Sequence, residues 1–292
     1  MAFKKAVKYG SKLRMAIAGP AGSGKTWTAL TLATALAGSG KIAVIDTEHR
    51  TSEKYADTFD FDMDELTNFN PNNYIASIKE AEQAGYSVLI IDSLSHAWTG
   101  SGGLMEQKDN IAKQKYSGNT FAAWNDATKI QNTLVNAILS CKMHVIVTVR
   151  SKMEYIIEPG QKTPRKVGLA PVQRDDLPYE FDVFTTMDTD NTMIVDKSRC
   201  PELSGAVIAK PDEQVAEVLK RWLDGIPAPE RPVTVKDAYE HFFALGLVKG
   251  KTEFYQRASE VLGITVTAEN VMSLEQDALK SIIASTEMQK SA

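Results

Sequence analysis

Residues 13–26 read LRMAIAGPAGSGKT. The apolar run at 13–18 has the composition of a buried strand, and residues 19–26 complete the pattern G-x-x-x-x-G-K-[ST]. WTALTLATALA (27–37) follows and has helical composition. Strand, glycine loop and helix in that order are the context in which this pattern holds phosphate. Gly19, Gly22 and Gly24 permit a bend tight enough to turn successive amides inward, with Pro20, Ala21 and Ser23 completing the loop. A helix starting near Lys25 adds free N–H groups and the positive end of its dipole. Lys25 is then expected at the β- and γ-phosphates of ATP, and the Thr26 hydroxyl on Mg²⁺.

Outward from the loop, β-rich runs alternate with helical stretches as far as about residue 226. The further runs are KIAVID (41–46), SVLIID (87–92), HVIVTV (144–149), FDVFTTMD (181–188) and NTMIVDK (191–197). The first four runs of the series are near-continuously apolar, as in strands covered by helices on both faces. Helices are predicted over 26–37, about 74–84, about 122–140 and 212–223. The pattern predicts an α/β layered core with a mainly parallel sheet. The two-residue break at Thr189–Asp190 predicts an antiparallel hairpin at its edge. GIPAPERP (225–232) reads as a linker, so the chain divides into a core over 1–226 with a basic tail at 1–12, a linker at 227–232 and a small helical module at 233–292.

Two acidic positions complete the candidate site. Asp92 ends an apolar strand, which places a carboxylate beside the phosphate loop, where it would hold Mg²⁺ with Thr26. Ser93 is either a turn serine or a partner of the metal-bound water. After the second strand the chain reads VIDTEHRTSEKYAD (44–57). ATP hydrolysis needs a carboxylate that orients the attacking water. The residues leave Glu48 either that group or an exposed loop acid, and Asp46 a structural residue of the strand end.

The 292 residues are 43% hydrophobic and 24% charged, with 33 Lys and Arg against 37 Asp and Glu. This composition excludes a disordered or fibrous chain, and the net charge of −4 excludes a protein that is basic throughout. Nucleic-acid binding would need local patches. Cys141 and Cys200 lie far apart without partners at metal spacing, so a reducing cytoplasm is the expected location. No apolar run reaches the ~20 residues of a membrane span, and the basic N-terminus lacks the apolar stretch of a signal peptide.

GPAGSGKT, IDTEH and SVLIIDS resemble, in order and spacing, the ATPase core of the RecA/RadA recombinases, over roughly residues 13–210. The resemblance implies that Glu48 is the catalytic base and that Tyr55 stacks on adenine; the residues themselves leave Tyr55 open as a helix-packing side chain. IVDKSRC (194–200) is similar to the late strand whose two basic residues reach the neighbouring subunit's ATP, which implies that role for Lys197 and Arg199. Strand alternation would place both on one face. Arg150 ends HVIVTVR where the recombinases carry a γ-phosphate sensor, usually Gln; an arginine there could sense phosphate or couple ATP to the loop that follows.

About a dozen residues precede the first predicted strand, without a counterpart of the recombinases' subunit-binding region. This minimal core looks most like the phage-encoded RecA-core ATPases grouped with the Sak single-strand annealing proteins. That resemblance implies ATP-dependent binding and annealing of single-stranded DNA, a homo-oligomer (ring or filament) with ATP at subunit interfaces, and action alongside a single-strand binding protein. Segment 150–174 supplies a DNA-binding candidate, reading as a basic loop with six cations, among them Lys152, Lys162, Arg165, Lys166 and Arg174, against two acids. Segment 99–120, with Lys113 and Lys115, is a second, and the tail a third; each is alternatively a solvated charged segment. Two other functions fit the same core. One is a RecA-fold replication helicase or loader. The other is a nucleotide-gated module that recruits a partner through residues 233–292 with negligible hydrolysis.

Overall fold

The computed structural model describes residues 11–156, 165–225 and 233–288, with backbone alone for 153–156, 165–169 and 287–288. The chain forms two compact units, Met1–Ala228 and Pro229–Ala292. The expected linker at 227–232 and most of the basic tail lie outside the described residues.

The first unit is α/β. Its strands are β1 (Arg14–Gly19), β2 (Ile42–Asp46), β3 (Asp62–Glu65), β4 (Val88–Asp92), β5 (His144–Ile156), β6 (Arg165–Pro171), β7 (Val183–Met187), β8 (Thr192–Ser198) and β9 (Val207–Ala209). The sheet order is β3-β2-β4-β5-β1-β7-β8-β9, with β6 paired to β5 off this path. Pairs from β3 to β7 are parallel, and β7–β8, β8–β9 and β5–β6 are antiparallel. The helices are α1 (Lys25–Ala37), α2 (Pro71–Gln83), α3 (Ser95–Thr99), α4 (Leu104–Lys115), α5 (Thr120–Ser140), α6 (Leu177–Glu180) and α7 (Glu213–Leu223). Met15 and Ile17 pack on one face of the sheet with Leu30 and Leu32 of α1 and Leu219 of α7. Ala16 and Ala18 pack on the other with Tyr74 and Ile78 of α2 and Leu134 and Ile138 of α5. Burial on both faces is why these strands read as unbroken apolar runs.

The expected mainly parallel sheet and edge hairpin are present. Three strands went unread. β3 is the edge strand DMDE, of which only Met63 packs on the core; β9 has three residues; β6 lies within the segment read as a basic loop. That segment corrects to an antiparallel hairpin in which Ser151 faces Pro171 and Ile156 faces Arg165. The second candidate segment, 99–120, is mostly helical, since Leu104–Lys115 is α4. Its buried contacts are few, namely Leu104, Ala112 and the Lys108 stem, whose ammonium lies 5.2 Å from the Trp124 ring centre on α5. So small an apolar stripe leaves little periodicity to read.

The second unit holds α8 (Val235–Ala244), α9 (Lys251–Leu262) and α10 (Gln276–Met288). Thr234 and Asp237 form a capping box at the start of α8. Phe242, Phe254, Leu279 and Ile282 form its core.

Candidate nucleotide-binding site

The parallel register collects the functional residues at one edge of the sheet. Asp46 is the Cα partner of Asp92, and Gly19 that of Arg150. All four close their strand segments at the carboxyl edge, where open α/β sheets bind ligands. Gly22 and Gly24 both have φ of 80°, a left-handed conformation glycine adopts freely. Gly19 is required by space, since a Cβ there would lie 2.6 Å from Ser23 Oγ and 2.8 Å from the Met187 carbonyl oxygen. The buried Ser23 hydroxyl donates to the Pro20 carbonyl (2.9 Å), and so does Lys25 Nζ (2.7 Å). Burial lowers the Lys25 pKa, while Asp92 and Glu48 oppose that shift.

Asp92 is buried and held at both oxygens. Thr26 Oγ1 donates to Oδ2 at 2.6 Å, and Thr148 Oγ1 donates to Oδ1. Burial raises the Asp92 pKa against these two hydroxyls, and the charges of Glu48 and Asp46 raise it further. The Asp92–Ser93 peptide is cis. Ser93 Oγ is buried and has no hydrogen-bond partner of good geometry among the described residues, although it lies close enough to Glu48 to favour the charged carboxylate. Its backbone N–H donates to Thr47 Oγ1 at 2.8 Å, which also meets His96 Nδ1 at 2.8 Å.

Asp46 has the structural role expected of it. Its carboxylate accepts from the N–H groups of Glu48 (2.8 Å), Arg50 (3.1 Å) and Ser52 (3.0 Å) and from the Ser52 hydroxyl, which shapes the turn presenting Glu48. Glu48 faces the cavity and pairs with Arg150, which donates from Nε at 2.7 Å and from Nη2. Burial works to raise the Glu48 pKa, but the hydrogen bond and charge of Arg150, joined by His96 and Ser93, outweigh it, and the carboxyl lies below its ordinary value.

Lys25, Thr26, Glu48, Tyr55, Asp92 and Arg150 thus border one cavity of about 540 Å³ with Gly22 and Gly24 of the loop. Thr148, Thr51 and Ser151 are the residues the sequence reading missed here. Thr148 alone carried a signal, as the one hydroxyl inside the apolar run HVIVTV. Tyr55 borders the cavity and packs partly on the core, its ring 5.8 Å from Trp27 and near-perpendicular to it.

Lys197 and Arg199 stand elsewhere. Lys197 pairs with Phe184, which pairs with Ala16, so both cations lie toward the amino-terminal edge of the sheet, away from this chain's own cavity. A bulge at Asp196, opposite the Phe184–Thr185 step, precedes Lys197, and β8 ends at Ser198, one residue before Arg199. Lys197 Nζ donates to the carbonyls of Pro178 (3.1 Å), Tyr179 (2.6 Å) and Phe181 (2.7 Å), and Arg199 pairs with Asp182 at 2.9 Å. A recess of about 780 Å³ at that edge includes Arg14, Asp182 and Arg199. Its two arginines are already engaged, Arg14 by the carbonyls of Leu13, Leu139, Cys141 and Met143.

The DNA-binding candidates are dispersed. Lys152 is exposed on β5, Lys113 is exposed on α4, Lys115 pairs with Asp126 at 2.6 Å, and Arg174 pairs with Asp176 at 3.2 Å. Arg165 and Lys166 lie on β6, described as backbone, and Lys162 lies outside the described residues.

The residues fit a magnesium–nucleoside triphosphate. The glycine loop bends at Gly22 and Gly24 beside Lys25, the buried Ser93 hydroxyl lies near Glu48, and a hydroxyl and a carboxylate meet at Thr26 and Asp92. Among the described residues no group of three or more His, Cys, Asp or Glu forms a metal cage. No helix among them is long and apolar enough to cross a membrane.

Fold and cradle together define a P-loop nucleotide-binding protein of the ATPase class. A family model described as an AAA domain matches residues 11–222, and the chain belongs to that family. Comparison with curated proteins gave no match.

Proposed function

We propose that the protein is a RecA-like ATPase that binds single-stranded DNA and promotes annealing or homologous recombination, as in the phage-encoded Sak group its sequence resembles. The observation that carries the ATPase part is the convergence of the glycine loop, Lys25, the Thr26–Asp92 pair and Glu48 on one cavity. Lys25 exchanges the Pro20 carbonyl for the β- and γ-phosphates. Thr26 and Asp92 would hold Mg²⁺, which would neutralise phosphate charge when bound. Glu48 orients a water whose oxygen attacks the γ-phosphorus as the bond to the β–γ bridging oxygen breaks, and it draws off the proton.

The DNA part rests on Lys152 on the β5–β6 hairpin and on Lys113 with the 87% exposed Phe121 that follows it at the start of α5. Assembly with ATP between subunits rests on the position of Lys197 and Arg199 at the edge away from their own cradle.

The test is ATP hydrolysis with and without single-stranded DNA for wild type, Lys25→Ala, Glu48→Gln and Arg199→Ala. Lys25→Ala loses nucleotide binding, Glu48→Gln binds but hydrolyses about 10²-fold more slowly, and Arg199→Ala is rescued by mixing with a subunit carrying intact Arg199. Normal hydrolysis by Glu48→Gln would sink the catalytic assignment. A rate unaffected by DNA would sink the DNA part. Directional unwinding would move the protein to the helicases.

A further inference from the structure

A second cavity, about 390 Å³, adjoins the first, and Gly24 of the phosphate loop borders both. Its other walls are Trp27, Thr28 and Thr31 of α1, Asn191 of the β7–β8 turn, and Lys210 to Asp212 beyond β9. The join is close, since a Cβ on Gly24 would lie 2.9 Å from Asn191 Nδ2. The far wall is fixed by its backbone. The Asp188 carboxylate accepts from the N–H groups of Asp190 and Thr192, both at 2.9 Å, and Lys210 N donates to the Asn191 carbonyl at 2.9 Å.

Trp27 occupies the first turn of α1, where side chains lean toward the helix N-terminus and so toward the loop. It is 46% exposed although Tyr55 and Phe59 pack near-perpendicular to it, at 5.8 and 5.0 Å between ring centres. A half-open indole supported by two rings is a stacking platform. Tyr55, by contrast, packs partly on the core.

We infer that the nucleoside half of the bound nucleotide lies in this groove, its base stacked on Trp27 and not on Tyr55. This rests on the reading of the loop as a triphosphate cradle. The stem of Lys210 and the ring of Pro211 line the same groove as the indole and add apolar surface to it. The Asn191 amide, which has no hydrogen-bond partner among the described residues, and the Thr31 hydroxyl supply polar contacts to ribose or base. Tyr55 acts on the nucleotide through Trp27, as a positioning residue.

Two probes separate this inference from its foundation, ATP and inorganic tripolyphosphate, each titrated calorimetrically into the full chain. Trp27→Ala should weaken ATP about tenfold, the size of a lost base–aromatic stack, and leave tripolyphosphate unchanged. Trp27→Phe should restore most of the ATP affinity, and Tyr55→Ala should cost less than Trp27→Ala. Retained ATP affinity in Trp27→Ala overturns the inference. So does an equal loss for both probes, or a selective ATP loss in Tyr55→Ala that exceeds that of Trp27→Ala. Wild-type protein that fails to bind tripolyphosphate overturns the cradle instead.

Discussion

Replacing Arg150 with Ala should make the ATPase faster at high pH and slower at low pH. Before nucleotide arrives, the candidate base is held by Arg150, and only an unpaired Glu48 can orient water. The two side chains are 49% and 22% exposed. Solvent screening at that exposure limits such a pair to about 0.2–1 kcal/mol. The equilibrium between paired and free Glu48 therefore shifts by at most about fivefold when the arginine is removed, which bounds the gain in DNA-free rate. The pH dependence runs the other way. In wild type, burial would raise the Glu48 pKa, and Arg150, with smaller help from His96 and Ser93, more than offsets it. Without the arginine, only His96 and Ser93 oppose burial, and the carboxylate protonates at a higher pH. Its active form is then lost sooner as pH falls, so the acid limb of kcat/KM moves upward and the two profiles cross. The assay is steady-state ATP hydrolysis between pH 5 and pH 9 without DNA, for wild type, Arg150→Ala and Arg150→Lys, the last lying between the others because it keeps charge but loses the fork. An alanine variant slower than wild type at every pH would refute the reasoning, because holding Glu48 would then cost the reaction less than Arg150 contributes to it. Superimposable profiles would refute the pairing itself.

Three further outcomes follow from particular contacts. Thr148→Val removes the donor to buried Asp92 Oδ1; the hydrogen bond to a charged group is worth about 1.5–3 kcal/mol, so ATP binding at limiting Mg²⁺ should weaken at least tenfold and Thr148→Ser should recover it. Gly19→Ala forces a Cβ to within 2.8 Å of a backbone carbonyl that has little room to yield; a cost of about 1–3 kcal/mol should lower Tm by roughly 3–10 °C in calorimetry, and an unchanged Tm would count against the loop geometry. Lys197→Met frees three carbonyls around α6 and should lower Tm, whereas Arg199→Ala breaks one exposed pair and should leave Tm unchanged within error; equal losses would contradict the different roles of the two cations.

The parts of this fold that the sequence made legible are those where local chemistry and burial agree. GPAGSGKT puts glycines where the bend needs left-handed backbone, at Gly22 and Gly24, and strands such as VLIID are apolar throughout because both faces are covered. β3 was opaque because an edge strand beside a short polar turn needs no apolar alternation, and DMDE offers one inward methionine. α4 was opaque because its packing runs through a lysine stem and small residues. At the site, Lys25, Thr26 and Asp92 were legible from spacing. The Glu48–Arg150 pair was not, because it joins residues 102 apart through sheet order, which spacing does not encode.

Sheet order also limits how Arg150 can transmit the state of the nucleotide. Its N–H donates to Ser95 Oγ at 2.9 Å, and its carbonyl accepts from Val172 N at 2.7 Å. The same residue is registered against Gly19 on the other side. With the backbone fixed at both groups, a shift of the whole strand would break bonds on two neighbouring segments, whereas a swing of the guanidinium breaks only the half-exposed pair with Glu48. The cheaper motion is the side chain's. If Arg150 senses the γ-phosphate, that information would leave this position as a change in which group the arginine faces. Lys152, two residues along the same strand, would experience that change as an altered local field on an unmoved hairpin.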